Sequence, residues 1–247
     1  MDTSEIFNRT QRLTGTDGMC RLRDAHVAVF GVGGVGSWTA EALARSGIGR
    51  LTLVDADVVA VSNINRQLPA TLSTVGLPKV EIMTRRIADI NPDCHVIARC
   101  ERYTPENART FPLEDCQAVV DAIDSLADKA ALIIHATSCP LPTRLFSSMG
   151  AALRTEPWRV RVDEFWNVKG DPLAAAMRHR FRKNGIRPAR KFKCVYSEEQ
   201  RRNVWTGQDN SGALTYGKVA INGAMVTVTA TFGMHLAALV IRHILDS

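Results

Sequence analysis

Arg66, Lys79 and Asp124 have the side-chain types that cleavage of a phosphoanhydride requires. Arg66 lies in the motif SNINRQ at residues 62–67, and Ser125 follows Asp124. Cationic groups neutralise the phosphate charge that builds up as a leaving group departs, and a carboxylate can hold Mg²⁺. Together these residues are typical of an enzyme that cuts ATP, although each one alone could equally be half of a surface ion pair.

A glycine-rich stretch, GVGGVG at residues 31–36, precedes that set in the chain. It follows the apolar run 26–30 and leads into a helical pattern at residues 37–46, which predicts a strand, a tight turn and a helix. Glycines let the backbone approach a ligand closely, and the first N–H groups of the new helix can face a phosphate. The candidate nucleotide contacts here are Gly31, Gly33, Gly34 and Gly36.

Asp55 ends the next apolar run, roughly 20 residues beyond the loop, where a ribose-binding carboxylate is expected. Taken alone, the pattern would predict a site for NAD or FAD. The extra glycine, Gly34, and the cations Arg66 and Lys79 favour ATP instead. A hydride-transfer enzyme has no need for those cations, because its nicotinamide carries the chemistry.

The elements that must position these residues alternate between strand and helix patterns. Strands are predicted at residues 26–30, 51–55, 95–100, 117–123, 141–147, 159–165 and 193–196. Helices are predicted at residues 37–46, 79–91, 126–137, 172–184 and 223–245. This alternation predicts an α/β fold with a Rossmann-like, doubly wound and mostly parallel sheet. Antiparallel strands are expected in the second half, because residues 159–165 alternate apolar and charged side chains.

No linker or internal repeat divides the sequence, so residues 1–247 are expected to form one domain. Residues 1–24 are polar and predict an N-terminal arm or helix. Residues 56–80 form a long irregular connection beside the nucleotide loop, and such segments are more often functional than filler. Residues 198–218 carry several turn signals and are expected to be a mobile loop.

The net charge of +6 is unevenly distributed. Residues 178–202 hold ten Lys or Arg against two Glu, whereas the rest of the chain has 21 basic and 23 acidic residues. We interpret residues 178–202 as a basic insertion. It is either a solvated surface or a contact for a polyanion, with nucleic acid as the leading candidate.

The sequence favours a cytoplasmic protein without a membrane anchor. It begins with no secretion signal, and its six cysteines form no Cys-x-x-Cys pair, which favours free cytosolic thiols over a four-cysteine zinc site. The apolar stretch 224–241 is better explained as a buried core or interface helix than as a membrane span.

The order of these motifs resembles the adenylation core of the E1-like superfamily, which includes ubiquitin-activating enzymes and activators of bacterial sulfur-carrier proteins. The matching features are the glycine loop, Asp55, SNINRQ at residues 62–67, GLPK at residues 76–79, and Asp124-Ser125. The resemblance implies an E1-like adenylation domain over the whole chain.

The resemblance also implies a role for each matching residue. Gly34 would lie against the phosphates or ribose of ATP, and Asp55 would hold the ribose hydroxyls. The residues that would contact phosphates are Asn63, Arg66 and Lys79. Asp124 would bind Mg²⁺, with Ser125 beside it at the nucleotide. Arg12 matches an arginine that, in this superfamily, reaches the ATP of the partner subunit in a homodimer.

The second half of the chain is similar to one branch, the tRNA threonylcarbamoyladenosine dehydratases. The similar stretches are residues 36–45, 121–125, 147–151, 171–174, 194–198 and 229–233. That resemblance implies an ATP-dependent enzyme whose substrate is tRNA. The side-chain carboxylate of the modified adenosine at position 37 would be adenylated and would then cyclise with loss of AMP. A monovalent cation is a further candidate cofactor.

Three alternatives stay open at this stage. An activator of a sulfur-carrier protein shares the fold but usually carries two Cys-x-x-Cys zinc pairs. An NAD-dependent oxidoreductase would leave Arg66, Lys79 and Asp124 without a task. A non-catalytic binding module would not need the intact ATP set. Cys194 matches a family cysteine, and a buried strand thiol is favoured over a nucleophile. The sequence does not identify the upstream proteins that supply the substrate.

Overall fold

The sheet that organises the chain has seven strands in the order β3-β2-β1-β4-β5-β7-β6. The computed structural model describes residues 5–205 and 222–247. The strands are β1 (His26–Phe30), β2 (Arg50–Val54), β3 (His95–Arg99), β4 (Ala118–Asp121), β5 (Arg144–Ser148), β6 (Val160–Glu164) and β7 (Lys193–Ser197). The helices are α1 (Asn8–Asp24), α2 (Gly36–Arg45), α3 (Lys79–Ile90), α4 (Leu126–Ser138), α5 (Pro172–Lys183) and α6 (Val226–Leu245).

The chain builds the sheet outward in two directions from β1. Strands β2 and β3 extend one side, and β4, β5 and β7 extend the other, all running parallel to β1. Only β6 runs antiparallel, paired with β7 at the edge. The order therefore reverses between β1 and β4, and ligands of such sheets bind at that switch point, beyond the carboxyl ends of the strands. The predicted fold class is confirmed.

Two apolar clusters cover the two faces of the sheet. On one face, alternate residues such as Val27 and Val29 of β1 pack against α1, α2, α3 and α6. On the other, Ala28 and Phe30 pack against α4, α5 and the segment before β4. Because helices cover both faces, β1 is buried at every position, as expected of a central parallel strand.

Helix α6 packs its buried face on α2, where the two helices come close together. A Cβ on Gly233 would lie 2.7 Å from the Cβ of Trp38, and Thr39 Oγ1 donates to the carbonyl of Gly233. By length and composition α6 is the one described helix that could cross a membrane, with a mean hydropathy of 1.5. The residues on its buried face are Val228, Thr229, Phe232, Gly233, Leu236, Ala237, Val240 and Ile244.

The structure modifies two expectations about the flanking segments and shows a helix where an N-terminal arm or helix was expected. That helix, residues 8–24, has a kink at Gly15 (φ 73°). Residues 178–202 are no insertion, since they include the end of α5 and the whole of β7. The final helix begins at Val226, three residues later than expected. Of the expected loop at residues 198–218, the part from residue 206 lies outside the described residues.

Candidate active site

The glycine loop closes the turn between β1 and α2 by two backbone contacts that exclude side chains. Gly31 has φ +86°, and a Cβ there would lie 2.6 Å from the carbonyl oxygen of Ala122. A Cβ on Gly36 would lie 1.8 Å from the carbonyl oxygen of Gly31. These two glycines are therefore required by the fold itself. Gly33 and Gly34 have more room and leave the loop surface open to a ligand.

Asp55 fastens this loop to the end of β2. Its Oδ2 accepts a hydrogen bond from the Val32 N–H at 2.6 Å, and its Oδ1 accepts one from the Asp57 N–H at 2.8 Å. Burial raises the pKa of Asp55, and the nearby charge of Lys79 and these hydrogen bonds partly oppose that rise. The carboxylate thus lies at the switch point with both oxygens oriented by the backbone.

Lys79 begins α3 and is buried, with its Nζ 2.8 Å from Oδ2 of Asp57. A buried ammonium needs a partner, and Asp57 supplies it. Since the charge of Lys79 also acts on Asp55, the ammonium lies near both carboxylates. This cation is therefore held at the same edge as the glycine loop.

Arg66 lies within electrostatic range of Asp124 at the switch point. Burial lowers the pKa of Arg66, and the charge of Asp124 acts against that effect, so the two groups are electrostatic neighbours. Arg66 Nη1 donates to the carbonyl of Ser62 at 3.0 Å and to Oδ1 of Asn65 at 2.8 Å. Asp124 is exposed, and Ser125 beside it precedes the first turn of α4.

Asn63 holds the backbone of the segment that leads to Arg66 by a buried hydrogen bond. It is buried, and its Oδ1 accepts a hydrogen bond from the Ala60 N–H at 3.1 Å. The carbonyl of Arg66 accepts a hydrogen bond from Trp38 Nε1 of α2 at 3.1 Å, so the motif is anchored to the helix that follows the glycine loop.

Two buried polar atoms of the SNINRQ motif have no hydrogen-bond partner among the described residues. They are Ser62 Oγ and Gln67 Oε1. The side chain of Gln67 lies beside the loop, since its Nε2 is the atom nearest to a Cβ built on Gly33, at 3.7 Å. Unpaired buried acceptors are costly, so their presence here fits a site built for a polar ligand.

Sequence reasoning missed the residues that hold the Asp124 loop. Asp121, the last residue of β4, accepts from Lys129 Nζ at 2.8 Å and from Ser147 Oγ at 2.7 Å. Lys129 Nζ also donates to the carbonyl of Ile123 at 3.1 Å. Asp121 and Ser147 stand within family-like stretches, which was the available signal, whereas nothing in the pattern of α4 marks Lys129 as buried.

Arg12 and Cys194 make no contact with the candidate nucleotide residues among the residues that the structure describes. Arg12 is exposed on α1, where its Nε donates to Oδ1 of Asn8 at 2.9 Å, and no contact joins it to the site within the part of the chain that the structure describes. Cys194 is fully buried in β7, and burial raises the pKa of its thiol well above the ordinary value. The favoured interpretation of Cys194 as a buried strand thiol is confirmed.

The basic residues of segment 178–202 divide into structural and exposed groups. Arg190 donates to the carbonyls of Thr137 (3.0 Å) and Ala136 (3.3 Å) at the end of α4, where a cation favourably meets the helix dipole. Arg178 donates to the carbonyl of Phe165. The exposed members are Arg182, Lys183, Arg187, Lys191, Lys193, Arg201 and Arg202.

Comparison with known proteins agrees with this geometry. The chain matches the ThiF family over residues 7–247. It is 45% identical over 193 residues to the tRNA threonylcarbamoyladenosine dehydratase of Bacillus subtilis (strain 168), covering 78% of this chain and 74% of the relative. The crystal structure of E. coli tRNA N6-threonylcarbamoyladenosine dehydratase, TcdA, in complex with ATP is 36% identical, with a TM-score of 0.85 and coverage of 100% and 96%. The AMP complex of that enzyme matches with 37% identity and the same TM-score and coverage.

The two kinds of glycine in the loop can be separated by substitution with alanine. Gly36→Ala places a Cβ 1.8 Å from the Gly31 oxygen and should lower the free energy of unfolding by about 1–3 kcal/mol or more. Gly33→Ala meets no atom nearer than 3.7 Å and should unfold within about 0.5 kcal/mol of the wild type. Urea titration measures both values.

Calorimetric titration of the folded Gly33→Ala variant with ATP then tests what approaches the loop. Weakened ATP binding is expected, because the added methyl group occupies space that the ligand needs. Wild-type ATP affinity in this variant, or wild-type stability of Gly36→Ala, would contradict these assignments.

Proposed function

The chain belongs to the ThiF family of E1-like adenylating enzymes, and on that premise we propose that it is an ATP-dependent tRNA N6-threonylcarbamoyladenosine dehydratase. The observation that carries the proposal is the assembly of the glycine loop, Lys79, Arg66 and Asp124 at one switch point, in a chain that resembles dehydratases along its whole length. The substrate is the modified adenosine at position 37 of tRNA.

The reaction adds AMP to a carboxylate and then removes it. A carboxylate oxygen of the threonine moiety on the modified adenosine attacks the α-phosphorus of ATP, and pyrophosphate departs. A nucleophilic atom of the same modification then attacks the activated carbonyl carbon and loses its proton, and AMP leaves with the former carboxylate oxygen. The modification loses one water in total, and ATP becomes AMP and pyrophosphate. A carboxylate needs this activation because it is otherwise a poor electrophile.

The residues of the switch point divide these tasks. The open surface at Gly33 and Gly34 and the N-terminus of α2 receive the phosphates, as helix N-termini do. Asp55 accepts hydrogen bonds from the ribose hydroxyls. The phosphate contacts are Asn63, Arg66 and Lys79, with Ser125 as a further nucleotide contact.

Asp124 is the residue that would hold Mg²⁺. The described residues contain no group of three or more His, Cys, Asp or Glu that could hold a metal, so a closed all-protein cage is not what this site offers. A single exposed carboxylate next to a phosphate site fits Mg²⁺, which is usually bound through one or two carboxylates and substrate phosphates. When bound, the ion neutralises the charge that develops on the departing pyrophosphate.

We further propose a cytoplasmic homodimer in which Arg12 reaches the partner's ATP. Arg12 is exposed on the first half of α1, beside the exposed apolar side chain of Leu13. Helix α6 likewise exposes Val226 and Met234. Exposed apolar side chains on neighbouring helices suit a contact between two copies of the chain.

Loss of one water from the tRNA nucleoside tests the reaction. Purified protein, ATP, Mg²⁺ and tRNA bearing the linear modification should yield the cyclic nucleoside with AMP and pyrophosphate, as measured by mass spectrometry. Asp124→Ala should lower turnover at least ~100-fold, the scale on which charge-stabilising groups act. Asp93→Ala, an exposed carboxylate before β3, serves as the control. Adenylation of a sulfur-carrier protein, without change in the tRNA, would refute the proposal.

Mixing two inactive variants tests the role of Arg12. If Arg12 acts across the interface, a dimer of one Arg12→Ala and one Arg66→Ala chain carries both defects in one site and none in the other. Mixed dimers should therefore regain up to one active site each. Differently tagged chains verify the mixing. Verified mixed dimers without activity would indicate that Arg12 acts in its own subunit.

Charge reversal of exposed basic residues tests contact with tRNA. Arg187→Glu with Lys191→Glu should weaken tRNA binding and make it less dependent on salt. The slope should fall by roughly 0.7 for each phosphate of a single strand that the variant no longer neutralises. Arg190 is left unchanged, because it holds the end of α4. ATP affinity should stay unchanged, and Arg85→Glu on α3 is the control. Unaltered tRNA affinity would mean that these residues are only a solvated surface.

A further inference from the structure

Trp158 is an exposed aromatic side chain at the edge of the sheet that carries the nucleotide site. It is 78% exposed and lies in a short 3₁₀ helix, Pro157–Arg159, directly before β6. Because β6 runs antiparallel to β7, its first residue, Val160, pairs with Ser197 at the carboxyl end of β7. Trp158 therefore lies beyond the carboxyl ends of the parallel strands, where the switch point also lies.

The buried carboxylate of Glu199 holds this loop in place. Its oxygens accept hydrogen bonds from the Thr155 N–H and hydroxyl and from the Glu156 N–H. Arg201 Nε donates to the same carboxylate at 2.6 Å. Although burial alone would raise it, these hydrogen bonds lower the pKa of Glu199 to about 2. The carboxylate is thus ionised at neutral pH, and Trp158 projects from a well-fixed support.

Hydrogen bonds connect this loop to the nucleotide site. The Leu153 N–H donates to the Gly223 carbonyl at 2.8 Å, and the Arg201 N–H donates to the Leu153 carbonyl at 3.0 Å. The next carbonyl, that of Ala224, accepts from Asn65 Nδ2 at 2.9 Å, and Asn65 is the neighbour of Arg66. Leu153 has φ +59°, a left-handed conformation that costs energy and persists only where surrounding contacts impose it.

Positive charge faces outward around Trp158. Arg159 and Arg201 are about half exposed, and each pairs with a less exposed carboxylate. Glu156, which pairs with both arginines, is 27% exposed, and Glu199, which pairs with Arg201, is 4% exposed. Arg202 is exposed, and Trp205 further along the same segment is 76% exposed. We call Trp158, Arg159 and Arg201 the Trp158 surface. It combines an aromatic ring with guanidinium planes, the two side-chain types on which unpaired RNA bases stack.

We propose that the Trp158 surface binds unpaired bases of the RNA substrate by stacking, next to the nucleotide whose carboxylate is adenylated. The proposal rests on the function proposed above and names how the RNA loop is held. A modified base can bring its carboxylate to ATP only when the loop around it is unstacked, and a stacking surface beside the site stabilises that arrangement. A protein interface can also use Trp and Arg, but the outward positive charge and the connection to the ATP site favour RNA.

Binding of a fluorescently labelled anticodon stem-loop RNA to the full-length protein tests the proposal. Trp158→Leu keeps an apolar side chain without a π face and should weaken binding about 10-fold, within the range of a single base–aromatic stack. Trp158→Phe keeps a π face and should restore most of the affinity. Trp166→Leu is the matched control, because Trp166 is 36% exposed but follows the other end of β6, beside the amino end of β7.

Kinetics on modified tRNA separate this proposal from the function itself. Trp158→Leu should raise KM for tRNA by a factor similar to its loss of affinity, with ATP affinity serving as the check of folding. Wild-type stem-loop affinity and KM in Trp158→Leu, while the wild type still removes water from tRNA, would overturn the stacking proposal alone. If Trp158→Leu had a smaller particle mass in solution than the wild type but the same RNA affinity, the proposal would be overturned too. The Trp158 surface would then be a contact between two copies of the chain. Absence of water loss with the wild-type enzyme would refute the function instead.

Discussion

The buried ion pair between Asp121 and Lys129 is the interaction on which the geometry of the site depends. Both side chains are completely inaccessible. Burying two charges costs more than their mutual attraction returns unless further hydrogen bonds satisfy them. Asp121 accepts further hydrogen bonds from Ser147 Oγ and the Ile123 N–H, and Lys129 donates one to the Ile123 carbonyl. The pair thus joins β4, β5 and α4 around the short loop that carries Asp124.

That loop in turn fixes the glycine turn on the neighbouring strand. The carbonyl of Ala122 occupies the space where a Cβ of Gly31 would be, so the two loops are in van der Waals contact. Asp55 then orients the Val32 N–H, and Arg66 lies under the influence of Asp124. Within this frame, the buried and unpaired Ser62 Oγ and Gln67 Oε1 lower the stability of the protein, because a buried polar atom without a partner keeps its desolvation cost.

The sequence predicted the strands and the switch-point residues because both have local signals. Short apolar runs ending in Gly31, Asp55 and Asp124-Ser125 mark strand ends, and parallel strands bring their carboxyl ends to one edge. The burial of Lys129 and the capping role of Arg190 had no local signal, since their partners are set by tertiary packing. A cluster of basic residues was interpreted as an insertion, although the strand predicted within it at residues 193–196 belongs to the central sheet as β7 and is buried at all positions but Lys193. The roles predicted for the glycine loop, Asp55, Asn63, Arg66, Lys79, Asp124, Ser125 and Arg12 stay predictions.

The second half of the chain explains how a common adenylation site can serve a large substrate. The candidate nucleotide contacts of this chain lie between residues 31 and 125, and the fold alone does not choose the carboxylate. The antiparallel strand β6 brings residues 153–159 back to the carboxyl edge, where Glu199 fixes them and Gly223 and Ala224 connect them to Asn65. Hydrogen bonds therefore fix the rim formed by residues 153–159 relative to Asn65, the neighbour of Arg66. Side chains on the rim can select what reaches the α-phosphate without altering the residues that activate it.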